Sequence, residues 1–254
     1  MAHVASVLTF ADSWKDVVEP SVRGAVSLVE AASKQPSIRR FALTSSSVSL
    51  GFCSLTKPQH WTTDTWHDIV DEAKKSPNRI NIYAASKVLA EKGAWEAVEK
   101  LKPGFKLTSI NPNLNIGPNH PGASTASSNR FIQAIAAGST EPVDSLSSQW
   151  FINVVDVARL HVLALTRADV GNERILSFEE VFTWKQIVDE IVQIDPQSKA
   201  KDIDTSSARF TDKDLTTVDS RRMLELLEKT QANLALSIRQ LLGKADVHPA
   251  PKWY

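Results

Sequence analysis

Short apolar, β-prone segments alternate with helical segments through the first half of this chain, and that alternation restricts the fold more than any other feature. His3-Val4-Ala5-Ser6-Val7-Leu8 is strand-like, and Asp12 or Ser13 can cap a helix that runs to about Lys34 behind an apolar face of valines. Pro36 and Ser37 break that helix, and Arg40 to Ser47 then reads as a buried strand ending in hydroxyls. A polar stretch over 52–79, with a short helix from Asp64 to Lys75, leads into a long helix that stops at Pro103-Gly104. Lys106 to Ile110 supplies a third strand. Strands joined by helices in this order predict a parallel sheet covered on both faces.

The texture changes after residue 118. Residues 119–128 read as a loop over the site, and Arg130 to Ala137 as a short helix. Phe151 to Val155 is strand-like, and Asp156 is placed to cap a helix over Val157–Thr166. A strand at Arg174–Phe178, a helix at Thr183–Val192, an irregular stretch over 195–220 and a last helix over Arg221–Leu242 follow. The expected organisation is an α/β chain with a Rossmann-like parallel sheet over 1–118. A smaller C-terminal α/β substrate-binding region over 119–245 returns the strand–helix segment 151–166 to the core, and 246–254 forms an unordered tail.

Composition narrows the function classes. Lys and Arg number 29 and Asp and Glu 29, so no basic surface for nucleic acid or another polyanion is expected. One cysteine, Cys53, excludes an internal disulfide framework and fits a reducing, cytoplasmic setting. No histidine-bearing motif accompanies it, so it is not read as a nucleophile. No apolar run reaches the roughly 20 residues of a membrane span, and the N-terminus lacks a basic leader and apolar core. The histidines show no metal-ligand spacing, so no metal is expected.

The long helix carries the chemistry. Within Ile80-Asn81-Ile82-Tyr83-Ala84-Ala85-Ser86-Lys87-Val88-Leu89-Ala90-Glu91, the Tyr83 and Lys87 side chains are one turn apart on one face. An ammonium beside a phenol favours the phenolate, so Lys87 is expected to lower the pKa of Tyr83. A phenol tuned that way passes a proton to or from a substrate oxygen near neutral pH.

Four ordered segments resemble the extended short-chain dehydrogenase/reductase family, closest to the branch of dihydroflavonol reductases, cinnamoyl-CoA reductases and fungal aldehyde and ketone reductases. They are Leu43-Thr44-Ser45-Ser46, Tyr83-x-x-x-Lys87, Asn111-Pro112 followed by Gly117-Pro118, and Phe151-Ile152-Asn153-Val154-Val155-Asp156-Val157-Ala158-Arg159-Leu160-His161. His3-Val4-Ala5-Ser6 is similar to the end of the family's fourth strand. The resemblance implies reduction of a ketone or aldehyde by hydride from NADP or NAD, with NADP favoured. It assigns Tyr83 as proton donor, Lys87 as its partner and ribose ligand, and Ser46 as the residue orienting the carbonyl, with Ser45 and Ser47 its rivals. Val4, Ala5, Ser6, Asn111 and Pro112 would also meet the cofactor, and Ser47 and Trp150 the substrate. Trp61 and Trp66 would add aromatic lining suited to a hydrophobic small-molecule carbonyl. His161 is expected to pack rather than catalyse. A homodimer pairing two helices, the Tyr83 helix among them, is implied as well.

Two departures stand against the family pattern. The Gly-x-x-Gly-x-x-Gly turn, whose amides hold a cofactor pyrophosphate, does not occur in this sequence. About 75 residues of the nucleotide-binding half are therefore expected to be missing. Ser21-Val22-Arg23-Gly24 also stands where the family often has asparagine. These departures keep open a second reading, a cofactor-free acid–base catalyst (a cyclase, dehydratase or isomerase) or a binding protein. They keep open a third as well, that the native protein begins upstream.

Overall fold

The computed structural model describes residues 1–9, 11–120, 127–228, 230 and 232–246. In chain order the elements begin with β1 (Ala2–His3), a π turn at Trp14–Val18, α1 (Glu19–Ser33), β2 (Arg40–Thr44) and β3 (Gln59–Trp61). Then come α2 (Val70–Lys75), α3 (Arg79–Leu101), β4 (Lys106–Pro112), β5 (Leu114–Ile116) and α4 (Ser127–Ala136). β6 (Gln149–Asn153), α5 (Val154–Thr166), β7 (Glu173–Ser177), β8 (Glu180–Phe182) and α6 (Trp184–Ile194) follow. The chain finishes with α7 (Ala208–Thr211), β9 (Thr216–Val218), α8 (Arg221–Leu227) and α9 (Leu234–Leu241). No helix among the described residues is long and apolar enough to cross a membrane.

Two compact units result. The first holds residues 1–52, 61–112 and 160–176, and the second 53–60, 113–159 and 177–254. The division falls at 112 rather than 118, and 160–176 joins the first unit. The sheet of the first unit has the order β1-β2-β4-β7. β1 and β2 run parallel with Ala2 opposite Ala42, and β2 and β4 run parallel with Leu43 opposite Ser109. Phe41, Ala42 and Leu43 are all buried, as a strand covered on both faces requires.

Local sequence explains the helices that cross over this sheet. Asn78 opens α3, its Oδ1 accepting from the amides of Ile80 and Asn81, each at 3.0 Å. Lys102, with φ 47°, closes the helix in the left-handed region just before Pro103-Gly104. α1 and α3 approach closely at Gly93, where an added Cβ would stand 3.0 Å from Val26 Cγ2. Val29, Ala32, Phe41, Leu43, Ala94, Phe105 and Leu107 form the core between these helices and the sheet. Phe41 stacks on Phe105 with ring centroids 5.5 Å apart.

The second unit packs its own core of Ile116, Ile132, Phe151, Phe182, Trp184, Ile187 and Ile238 around a sheet of order β5-β6-β8. β5 and β6 are parallel, and β6 and β8 antiparallel. Thr183 and Gln186 cap α6 reciprocally, and the Trp184 indole donates to the carbonyls of Leu146 and Ser147. Gly117, at φ +150°, holds a position where a Cβ would meet Val154 Cγ1 at 2.9 Å.

Several boundaries differ from the sequence expectation. The first strand covers only two residues, because Val4 is 61% exposed and nothing pairs with it beyond His3. α5 starts at Val154 with Asn153, not Asp156, as its cap: Asn153 Oδ1 accepts from the Val155 amide at 2.8 Å. Asp156 is instead buried in the first turn and paired with Arg159 at 2.6 Å. The single last helix is two, with α8 ending at Leu227, because Glu228 after it takes a φ of 57° that breaks the helical path. Most of the 119–128 loop (121–126) and the tail beyond 246 lie outside the described residues.

Truncating Phe41 to alanine leaves a void beneath α1 and α3, so Phe41→Ala is predicted to lose about 3–5 kcal/mol. Urea unfolding measures it, and a loss under about 1 kcal/mol would contradict this packing.

Candidate active site

The backbone places three candidate side chains together. β2 ends at Thr44, and Ser46, extended at φ −163°, caps the 3-10 turn Ser47–Ser49 by accepting from the Val48 amide. Of the side chains around the Tyr83 phenol on α3, the Ser46 hydroxyl is the one that favours its ionised form. One helical turn later Lys87 Nζ stands 5.9 Å from the centroid of the Tyr83 ring. Ser46, Tyr83 and Lys87 are therefore brought together as the sequence predicts.

The electrostatics differ from the sequence expectation. Burial pushes the Tyr83 phenol above its ordinary value, and only the Ser46 hydrogen bond pulls it back. Lys87 does not lower it. The ammonium is itself desolvated, its pKa brought down to about 8 by burial against the opposing pull of Glu91. A phenol held in its neutral form is a filled proton donor at neutral pH, which suits protonation of an oxygen rather than its deprotonation.

A small cavity of about 30 Å³ lies beside Lys87, lined by His3, Ala5, Ser6, Ser21, Ser45 and Glu91 among others. Ala5 and Ser6 thus line the same small cavity as Lys87, whereas Val4 is exposed and is not part of the lining. Among the described residues Lys87 finds no hydrogen-bond acceptor, although it is only 8% exposed. A buried ammonium of this kind calls for oxygen acceptors from outside the chain. Ribose hydroxyls of a nicotinamide nucleotide have that chemistry, so the residues present fit such a group on this side.

Asn111 and Pro112 are both buried at the end of β4. The Asn111 side chain is turned inward: its Nδ2 donates to Glu91 at 2.8 Å and to Ser49 at 3.0 Å. Its side chain is therefore tied into the first unit. Ser47 is 5% exposed in the turn after Ser46. Trp150 belongs to the second unit, edge-on to Phe178 at 6.0 Å, with its indole nitrogen buried and unpartnered among the described residues. Trp61 is 2% exposed and packs on Gly51, so it builds core rather than lining. Trp66 lies under the Arg174 guanidinium at 3.9 Å and lines a separate cavity of about 420 Å³ with Lys92 and Trp95. His161 hydrogen-bonds Thr44 Oγ1 at 2.6 Å, which agrees with a packing role.

Sequence reasoning missed the polar network beneath these residues. Glu91, 1% exposed, pairs with Arg174 at 2.8 Å and accepts from Ser45 at 2.6 Å and Ser109 at 2.7 Å. Two signals pointed there: an acidic residue four positions after Lys87, and an arginine inside the apolar strand β7.

Tyr83 is one of two tyrosines, so Tyr254→Phe leaves a single phenol to titrate by its near-ultraviolet absorption. Its midpoint is predicted above the ordinary tyrosine value of about 10, and Ser46→Ala is predicted to move it higher. An ordinary or lower midpoint would contradict this geometry.

The model of the NAD dependent epimerase/dehydratase family matches residues 1–177. The ketoreductase adrE of Penicillium roqueforti is 35% identical over 202 residues, covering 77% of this chain and 59% of that protein. Aldehyde reductase 2 of Sporidiobolus salmonicolor is 29% identical over 261 residues, covering 96% of this chain and 74% of that protein. The crystal structure of Gre2 from Candida albicans in complex with NADPH superposes with a TM-score of 0.78 at 26% identity, covering 96% of this chain and 77% of that one. Sequence and structure agree on the same group: the chain belongs to the NAD dependent epimerase/dehydratase family.

Proposed function

We propose that this chain carries the acid–base centre of an NAD(P)H-dependent reductase of ketones or aldehydes, with Tyr83 as the proton donor. The observation that carries the reading is the buried Tyr83 phenol, acted on by Ser46, with Lys87 Nζ 5.9 Å from its ring one turn further along the same helix. The ketoreductase and aldehyde reductase named among its relatives support the same reaction class. Lys87, Ala5 and Ser6 would hold the nicotinamide side of the cofactor, and a reduced nicotinamide bound there supplies the hydride.

The chain's own residues do the rest. Ser46 orients the carbonyl oxygen toward the phenol, and Tyr83, kept neutral by burial, gives that oxygen its proton. Lys87, still mostly cationic at neutral pH with its pKa near 8, stabilises negative charge developing beside it. NADP rather than NAD, a homodimer and a cytoplasmic setting belong to the same proposal, on the resemblance and the single cysteine. The glycine-rich pyrophosphate turn is not in these 254 residues, so cofactor binding is the step most open to test.

NADPH and NADH are titrated into the 254-residue chain by fluorescence, and oxidation of the bound form is followed with aromatic and aliphatic ketones. Saturable binding is expected, with Tyr83→Phe keeping it while losing about 10²–10⁴-fold of the rate. Folded protein that binds neither nucleotide would sink the reductase reading for this chain.

A further inference from the structure

The Glu91 carboxylate is tied to the strand ends that carry Ser46 and Asn111-Pro112. Its Oε2 accepts from Ser45, the neighbour of Ser46, and from Asn111, the neighbour of Pro112. Its Oε1 accepts from Ser109 on β4 and from Arg174 Nε on β7. On α3 it stands one turn beyond Lys87, and both line the small cavity beside β1.

Arg174 holds the carboxylate from the other side. Its Nη1 donates to the carbonyls of Thr63 and Thr65, each at 2.7 Å, and its Nη2 to Ser49 and to Glu91 Oε2. Only an ionised carboxylate accepts from so many donors at once, since a protonated one would turn a hydrogen toward them. Burial alone would raise the Glu91 carboxyl, but the Arg174 charge and the hydrogen bonds from Arg174, Ser45 and Ser109 outweigh it and leave it below the usual range.

We propose that Glu91 is a positioning residue: with Arg174 it fixes the strand ends that carry Ser46 and Asn111-Pro112, and it supplies the negative charge that keeps Lys87 cationic. That role rests on reading Ser46, Tyr83 and Lys87 as an acid–base centre. Lys87 is faced by Tyr83 and Glu91 from its own helix, by His3 from β1, by Ser21 from α1, and by Thr44 and Ser45 from the end of β2. Of the residues lining that cavity, Glu91 alone is acidic. His3 cannot take its place, because burial and then Lys87 hold its imidazole below the ordinary value, toward the neutral form. A purely structural pair would hold the strand ends without affecting how Lys87 titrates, and that separates the two roles.

The test is the titration of Lys87 followed by NMR of protein carrying ¹³Cε-lysine, its resonance assigned by its loss in Lys87→Met. Glu91→Gln keeps the shape and removes the charge, and the Lys87 midpoint is expected to fall by about one pH unit. The single change leaves a buried guanidinium unpaired and can unfold the chain, so Glu91→Gln/Arg174→Gln, which removes both charges, is measured beside it. The double variant is also expected to lower the midpoint, because Glu91 is the nearer charge. A midpoint unchanged from the parent in either folded variant would overturn the proposal. The titration needs no nucleotide and no turnover, so a failed reductase assay and a failed positioning role are told apart.

Discussion

A buried ion pair sets the geometry of the first unit. Glu91 on α3 and Arg174 on β7, both almost fully buried, meet at 2.8 Å and draw in Ser45 beyond β2, Ser109 and Asn111 on β4, and the carbonyls of Thr63 and Thr65. Two charges taken out of water gain little over a well-packed apolar pair, so their chief contribution is not net stability. What they supply is position. Each strand end must arrive where its donor finds the carboxylate, and an unpaired donor or a bare carboxylate at this depth would cost several kcal/mol. Ser46, Lys87 and Pro112 are each within one turn or one residue of a group in that network.

The same burial shapes the chemistry above it. It pushes the Tyr83 phenol up and the Lys87 ammonium down, so both groups are drawn toward their neutral forms. Two opposing interactions limit the effect: Ser46 on the phenol and Glu91 on the ammonium. A tyrosine and lysine at helical spacing are thus not a self-contained acid–base pair. Their protonation is decided by what the strand ends place beside them.

Much of this was legible in the sequence, because it depends on local patterns. The alternation of β-prone and helical segments gave the parallel order β1-β2-β4, and the Tyr83–Lys87 spacing gave a shared helix face. Of the three adjacent serines, Ser46 is the one that acts on the Tyr83 phenol, while Ser45 turns inward to Glu91. The errors have physical causes. Lys87 was expected to depress Tyr83 because sequence shows the charge and hides the desolvation. Aromatic residues in a polar stretch look exposed, which is why Trp61 reads as lining; it fills the space at Gly51 instead, while Trp66 lines a cavity under Arg174 that is separate from the one beside Lys87. The network itself joins residues up to 125 positions apart, and no spacing rule reveals a contact of that range.

The network clamps the ends of β2 and β4, so that the residues beside Tyr83 are fixed in the free chain. Native-state hydrogen exchange tests this most directly at the Ser45 amide, which donates to the Ile110 carbonyl at 2.8 Å at the point where the strands meet the site. Exchange of that amide only through global unfolding, at the free energy shared by the centre of β4, is the predicted result. Exchange at the rate of an open turn would contradict a clamped site.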